Sequence, residues 1–548
     1  MFSSSKWRRL AGLGAMALPA PMALAPTGAQ AQTKAALKAV LYAEVRVLDP
    51  LFFSYMSRYH GYMVYDTLFA PTRDGVMKPQ MVENFTVSPD QLRYAFTLRD
   101  GLKFHDGAPV RPADVIASLK RWGKVDALGR LMFDALQSIS ATGDKSFEIV
   151  LKKPFALLIP ALGKPGTYTP FILPERLAQQ EPTQQITDPV GSGPFKFSKE
   201  EWVPGQKVVY LKNTDYTPRK EPSDGLSGGK VVRTDRVEWL YMPDQNAAVS
   251  ALQNGEIDFL ELPPLDLMPA IEANPDLKLA HAPDAADWQG QLRINHLHPP
   301  FNTEKGRHAL LKLIDQKQFM AAIGAAGKFS MDYCSSYFLC GTAYATQVGD
   351  PVVKSANAAE AKKLFAESGY KGEPVVIMQP VDLPVSSTAA QLIYQGLKSA
   401  GVNAELLPAD FGTMQSRRMK RDAPDKGGWS IVPNYPNGYD LSSPATNLTL
   451  SLNCTPAATG FECDPKLDEL RAAFVAAPDE ASRKEIARQT EERIYQFVPY
   501  ALFGQFRQPS AYSTKLDGLI QVGTPKEILY QPADEYVDRF VQRRVASL

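Results

Sequence analysis

Between residues 92 and 98 apolar side chains alternate with others: Leu92, Tyr94, Phe96 and Leu98 fall on one face of an extended backbone, which predicts a half-buried strand. Residues 112–122 read as a helix that begins on proline, where the missing N–H would have had no partner in any case. Residues 41–47, 147–151 and 207–210 read as further strands. Later, 358–368 predicts a helix that Gly369 is placed to end. Residues 375–378 form a short apolar strand, Ala389, Leu392, Ile393, Gly396 and Leu397 recur at helical spacing, and 402–406 returns to strand. That strand–helix–strand order implies a parallel pair joined by a crossover helix. Two more helices are expected around 466–474 and 479–497, and 215–235, rich in glycine, proline and charge, is expected to be a surface excursion. The pattern has no repeat period and reads as mixed α/β.

One apolar stretch differs in kind. Lys6, Arg8 and Arg9 precede an almost uninterrupted apolar run over 10–26, and Ala29-Gln30-Ala31 supplies a small-x-small site. This is the order of a secretory signal, with cleavage expected after Ala31. Pro19, Pro21 and Pro26 argue against a long buried helix there. Arg8-Arg9 leaves both general and twin-arginine export open. No later run approaches the ~18 apolar residues of a membrane span. The first cysteine, Cys334, is far from the cleavage site, so no lipid-anchored start is expected and the mature chain is placed free in the periplasm.

Cysteine usage agrees with export. The four cysteines form two close pairs, Cys334 with Cys340 and Cys454 with Cys463. Three connectivities are open, and the two local disulfides are expected. No CxxC-type cluster points to a metal. The 548 residues exceed what one hydrophobic core organises, so two to four domains are expected. Net charge is +1 and turns slightly acidic once the basic signal is removed, which leaves no electrostatic footprint for nucleic acid or anionic lipid.

Several short motifs follow one another along the chain: Leu48-Asp49-Pro50, Val64-Tyr65-Asp66-Thr67-Leu68-Phe69, the PQMVENF of 79–85, the LRDGLKFHDGAPVRPADVIA within 94–117, Val190-Gly191-Ser192-Gly193-Pro194-Phe195, the LQNGEIDF of 252–259, Asn295 with Pro299-Pro300-Phe301, and 309–315. Together and in this order they resemble the peptide- and nickel-type (family 5) extracellular solute-binding proteins of ABC importers, which include dipeptide- and oligopeptide-binding proteins. The resemblance implies an α/β, two-lobed periplasmic-binding-protein fold with an additional subdomain, mixed sheets flanked by helices, and a hinge between the lobes. It implies a discontinuous first lobe over 32–80, 190–296 and 509–548, an inserted subdomain over 81–189, and a second large lobe over 297–508. It further implies a monomer that captures a small peptide or related solute in an interlobe cleft and hands it to permease subunits, with no cofactor and no catalysis. Within the motifs, Gly101, Asp106, Gly107, Pro109 and Asp114 are expected to serve a turn and a helix start. Gly191-Ser192-Gly193 lacks the spacing and the lysine of a phosphate loop. His296 and His298 are expected to be structural rather than metal ligands.

The resemblance also directs attention to the second lobe. Peptide-holding members place an acid shortly after a tryptophan, against the ligand's amino group. Here the matching stretch runs from Gly428-Trp429 to Asp440, and the positions three, six and eight after Trp429 are Val432, Tyr435 and Asn437. Asp440 is the acid that remains nearby. Either Asp440 substitutes as the anchor, or the ligand lacks a free amine. Candidate ligand contacts are therefore Tyr42, Trp288, Trp429, Tyr435, Asn437, Asp440 and Arg417, with Arg418 and Arg293 as further cations. The Cys334–Cys340 loop is expected to present Tyr337 and Phe338 at the cleft rim. The rival readings are an exported hydrolase, for which HExxH is absent, and a chaperone-like or signalling receptor on the same fold.

Overall fold

The computed structural model describes residues 36–516 apart from 42, 53, 281–286, 326 and 456–459. The export segment over 1–31, Tyr42 and the tail beyond 516 lie outside the described residues. Three larger sheets organise the chain. A seven-stranded mixed sheet has the order Phe195–Phe197, Lys207–Lys212, Arg236–Leu240, Leu37–Val40, Phe259–Leu260, Ser510–Ser513, Leu277–Ala280. A five-stranded sheet has the order Ala404–Ala409, Val375–Pro380, Ile431–Asn434, Trp288–Ile294, Tyr500–Phe506. A four-stranded antiparallel sheet is built from Val82–Val87, Arg93–Leu98, Ser146–Leu151 and Leu136–Ala141. With helices packed against these sheets, the molecule is an α/β, two-lobed protein.

Local rules account for most elements. Tyr94, Phe96 and Leu98 are buried on the inner face of their strand, where Phe96 stacks on Phe147 at 4.9 Å between ring centroids. The helix Pro112–Val125 starts on its proline, and the Asp114 carboxylate reaches back to accept from the Arg111 N–H at 2.8 Å. Val375–Pro380 and Ala404–Ala409 pair in parallel, and the helix Pro384–Ser399 crosses between them. The helices Ala358–Glu367, Pro465–Ala476 and Glu480–Phe497 are present, and Gly369 follows the first with φ +85°. Both local disulfides, Cys334–Cys340 and Cys454–Cys463, are formed.

Two expectations are corrected, and a third element joins a sheet that its place in the chain did not suggest. The first strand is Leu37–Val40, not 41–47, because both neighbours, Arg236–Leu240 and Phe259–Leu260, end level with Val40 and leave nothing further to pair. The 215–235 stretch is not wholly a surface excursion. Residues 225–230 are buried, Gly225 lies where a Cβ would come within 2.5 Å of the Thr72 backbone, and Lys230 pairs with Asp66 at 2.7 Å. Trp288–Ile294, inside the stretch read as first lobe, is a strand of the five-stranded sheet.

The chain passes between the two larger sheets at adjacent places. Leu277–Ala280 and Ser510–Ser513 are antiparallel neighbours in one sheet, and Trp288–Ile294 and Tyr500–Phe506 are antiparallel neighbours in the other. Residues 507–509 make one crossing. Arg507 on that crossing reaches Asp287, just before the Trp288 strand, at 3.1 Å. A crossing tied by an ion pair to the start of the neighbouring strand has the layout of a hinge. Among the described residues no helix is long and apolar enough to cross a membrane.

Candidate ligand-binding site

The site is built from one helix, one turn and one loop. The helix Tyr55–Val64 begins at Ser54, whose hydroxyl accepts from the Met56 N–H at 3.1 Å. It is buried from Met56 to Val64, as expected of a helix enclosed on all sides. Gly61 permits this enclosure, since a Cβ there would lie 2.4 Å from the Phe171 ring. His60 and Tyr59 fix the helix to the seven-stranded sheet. His60 Nδ1 lies 3.0 Å from the Tyr210 hydroxyl, and the Tyr59 hydroxyl donates to Glu261 at 2.7 Å. Burial pushes the His60 imidazole down to about 3, so it is neutral. The remaining face carries Tyr55, Arg58 and Tyr62, one helical turn apart.

The turn comes from the five-stranded sheet. After Ile431–Asn434 the chain runs through Tyr435 to Asn437, which caps the short turn Gly438–Asp440 by accepting from the Tyr439 N–H. The Gly438 N–H donates to the Asp287 carbonyl, so the turn is held beside the crossing segment. Trp288 opens its strand alongside, bridged to Asn437.

These pieces meet the helix directly. Tyr55 lies edge-on to Trp288 with ring centroids 6.0 Å apart, Trp288 lies 5.6 Å from Tyr435, and Tyr435 lies 5.8 Å from Phe506. The Tyr55 hydroxyl accepts from the Asn437 N–H at 3.2 Å. Asp440 receives two visitors from elsewhere in the chain: Arg58 Nη1 at 3.4 Å and the Thr167 N–H at 2.5 Å. Gly166 allows the second approach, because a Cβ there would stand 2.6 Å from Asp440 Oδ1. Arg58 and Asp440 are 2% and 3% exposed.

The Arg58 guanidinium sits over the Tyr55 and Tyr59 rings at 4.9 and 5.6 Å. Burial is the largest single influence and lowers its pKa, but the Asp440 carboxylate together with Tyr59, Tyr55 and Tyr62 outweighs it and the net shift is upward, so the group is a fixed cation. Among the described residues it makes one hydrogen bond, the long contact to Asp440, and its Nε has no partner. An unpaired buried donor is costly, so this guanidinium has hydrogen-bonding capacity left unmet.

Of the candidates read from sequence, Trp288, Tyr435, Asn437 and Asp440 come together here. Trp429 does not. It is fully buried with Met378, Met414 and Val432, and its Nε1–H donates to the Arg418 carbonyl at 3.0 Å. It is a core residue of its lobe. Arg417 donates to the Gly428 carbonyl at 2.7 and 3.0 Å and serves that same fold. Arg293 reaches Thr449 and Glu462 inside the second lobe. Tyr337 and Phe338 do not rim the cleft; both are fully buried, with their N–H groups directed at Glu491. His296 and His298 each meet a backbone carbonyl, of Pro499 and Arg421. Gly191 and Gly193 let their loop press on the Val64 carbonyl at the end of the helix.

Sequence reasoning missed Tyr55, Arg58, Thr167 and Phe506. One signal for Arg58 was present: it is the sole Lys, Arg, Asp or Glu in the ten residues from Tyr55 to Val64.

Comparison with known proteins agrees with this architecture. The model for bacterial extracellular solute-binding proteins, family 5 (middle region), matches residues 76–449. A probable peptide ABC transporter periplasmic-binding protein, y4tO of Sinorhizobium fredii, is 39% identical over 533 residues, covering 94% of this chain and 97% of the relative. A probable di/tripeptide-binding protein of Pseudomonas aeruginosa is 26% identical, covering 80% and 83%. Among solved structures, the binding protein AgaA of A. tumefaciens R10 in complex with agropinic acid superposes with a TM-score of 0.74 at 22% identity, covering 92% and 99%. DppA of Helicobacter pylori in complex with the peptide STSA superposes equally, at 21% identity and 91% and 98% coverage. The chain belongs to the family 5 bacterial extracellular solute-binding proteins.

Proposed function

We propose that the protein is the periplasmic substrate-binding component of an ABC importer, which encloses a small solute between its lobes and delivers it to permease subunits. One observation carries this reading. Tyr55, Arg58, Trp288, Tyr435, Asn437 and Asp440 are drawn from opposite sides of the hinge and form a sealed patch of aromatic rings and hydrogen-bonding groups. Such a mixture of apolar walls and a few polar groups is what a small-molecule site requires. Relatives named for peptides support a peptide or related small solute as the cargo.

In this reading the seven-stranded sheet belongs to the first lobe, residues 81–189 form an inserted subdomain, and the five-stranded sheet belongs to the second lobe. The protein acts as a monomer, is released from its signal near Ala31, and carries no lipid. The test is a thermal-shift screen of di- and tripeptides, free amino acids, nickel chelates and opine-like acids, paired with small-angle X-ray scattering. A true ligand at a hundredfold excess over its Kd stabilises the folded state by about 2.7 kcal/mol. It also shrinks the radius of gyration as the lobes close. Turnover of a chromogenic ester or peptide, with no stabilisation by any class, would replace binding with hydrolysis.

A further inference from the structure

We infer that Arg58 is the residue on which the ligand is anchored, and that the group it takes is a carboxylate carried next to a flat or apolar body. This deepens the cleft reading above and rests on it. A guanidinium offers five N–H donors in a planar fork. Here it is 2% exposed, one donor makes a single contact at 3.4 Å, and Nε has no partner among the described residues. Asp440, in contrast, is already committed: Oδ1 accepts the Thr167 N–H at 2.5 Å and Oδ2 faces Arg58. The other nearby acid, Glu261, takes the Tyr59 hydroxyl.

The unmet need at the junction is therefore for acceptors, not donors. An ammonium approaching Asp440 would meet the Arg58 cation at the same place. A carboxylate presents two coplanar oxygens and matches the guanidinium fork with two parallel hydrogen bonds. Asp440 then acts as the partner that holds Arg58 in the closed form. Tyr55, Trp288 and Tyr435 pack against one another beside Arg58 and, once the lobes part, offer ring faces and edges to the ligand's body.

The experiment compares acids with their own amides. The probes are phenylacetate and phenylacetamide, N-acetylphenylalanine and its C-terminal amide, and N-acetyl-Ala-Phe and its amide, with the free-amine peptide amide Ala-Phe-NH2 as a contrast. Each is titrated into the full mature chain by calorimetry, with scattering to follow closure. The expected result is that acids bind and compact the protein while their amides bind roughly 10- to 100-fold more weakly. Arg58→Gln abolishes that preference, and Arg58→Lys, a point charge without the fork, keeps part of it. Equal binding of acid and amide, or an acid preference that survives Arg58→Gln, overturns the inference and leaves the cleft reading standing. Binding of Ala-Phe-NH2 alone does the same and makes Asp440 the anchor. If no probe binds and no class in the wider screen compacts the protein, both readings fall. The wild-type comparison needs no variant, so a folding defect in Arg58→Gln does not blunt it.

Discussion

Asp440 and Glu491 are two enclosed carboxylates that accept hydrogen bonds from distant backbone, and they differ in whether their partners travel with them. Glu491 sits on the helix Glu480–Phe497. It accepts from the Ser336 hydroxyl at 2.5 Å, the Tyr337 N–H at 2.7 Å, the Phe338 N–H at 3.4 Å and the Thr346 hydroxyl. Three donors lie inside the Cys334–Cys340 loop and Thr346 follows it, and no cation pairs with Glu491 among the described residues. Asp440 instead meets Arg58 and Thr167 across the cleft. In the proposed reading Glu491 is a permanent clamp, and Asp440 is a contact that lobe opening would separate and hydrate. Burial costs the first carboxylate in every state of the folded protein, and the second only while the lobes are shut.

The largest effect that would break this contrast belongs to Glu491. Glu491→Ala leaves the Tyr337 N–H and the Ser336 hydroxyl buried without an acceptor and opens a cavity, while the Phe338 N–H keeps the Ser336 hydroxyl oxygen at 3.1 Å. At about 1–3 kcal/mol per orphaned group, a loss of roughly 4 kcal/mol of unfolding free energy is expected in urea titration. Amide exchange at Tyr337 and Phe338 should rise in step. A loss below ~1 kcal/mol, within the range of ordinary surface changes, would show that the clamp is dispensable.

A somewhat smaller effect comes from protons on the same group. Burial raises Glu491 from 4.5 to about 7, although its hydrogen bonds pull the other way. Between these values the native state holds a proton that the unfolded chain has released, so this contribution to stability is full below pH 4.5 and is lost as pH rises through 7. At about 1.4 kcal/mol per unit the loss is roughly 3 kcal/mol. Glu491→Gln can keep the loop N–H groups on its carbonyl and donate to Thr346, so it should flatten that slope. His60 and His296, both pushed down to about 3 by burial, contribute the opposite slope, destabilising as pH falls below 6.5. The readout is therefore the difference between variant and wild type across pH 4 to 8, and identical profiles would reject the assignment.

How much of this was legible in the sequence depended on the range of the signal. Periods of two and 3.6 residues located the 93–98 strand, the helix starting at Pro112 and the parallel 375/404 pair, because each is decided by its own residues. Close spacing sufficed for the two disulfides. The end of the first strand was not local: it is set by where Arg236–Leu240 and Phe259–Leu260 end. The site divides the same way. Trp288, Tyr435, Asn437 and Asp440 were reachable from one segment and its neighbour in the sheet. Trp429 misled because a tryptophan at a family position looks the same whether it faces a cleft or, as here, fills a core against Met378 and Met414. Tyr337 and Phe338 misled for the same reason. Arg58 was visible as a lone charge in an uncharged helix, yet its partner lies 382 positions away, a distance no local pattern spans.

The smallest expected effect is the one that sharpens the contrast most. Asp440→Asn keeps a side-chain oxygen for the Thr167 N–H and removes the charge opposite Arg58. Breaking a buried ion pair within a rigid core costs about 3–5 kcal/mol, because the surviving charge has nowhere to go. Here Arg58 can reach water by the lobes parting at the crossings near Asp287 and Arg507. Unfolding free energy should therefore change by less than ~1 kcal/mol, the scale of an exposed pair. The change should appear instead in shape, as a larger radius of gyration without ligand. If Asp440→Asn costs as much as Glu491→Ala and leaves the shape unchanged, the Arg58–Asp440 contact is a fixed part of one core and the two carboxylates are the same kind of device. If the stability is kept and the molecule opens, the difference between them is the hinge itself, and the charge on Asp440 is what holds the cleft shut before a ligand arrives.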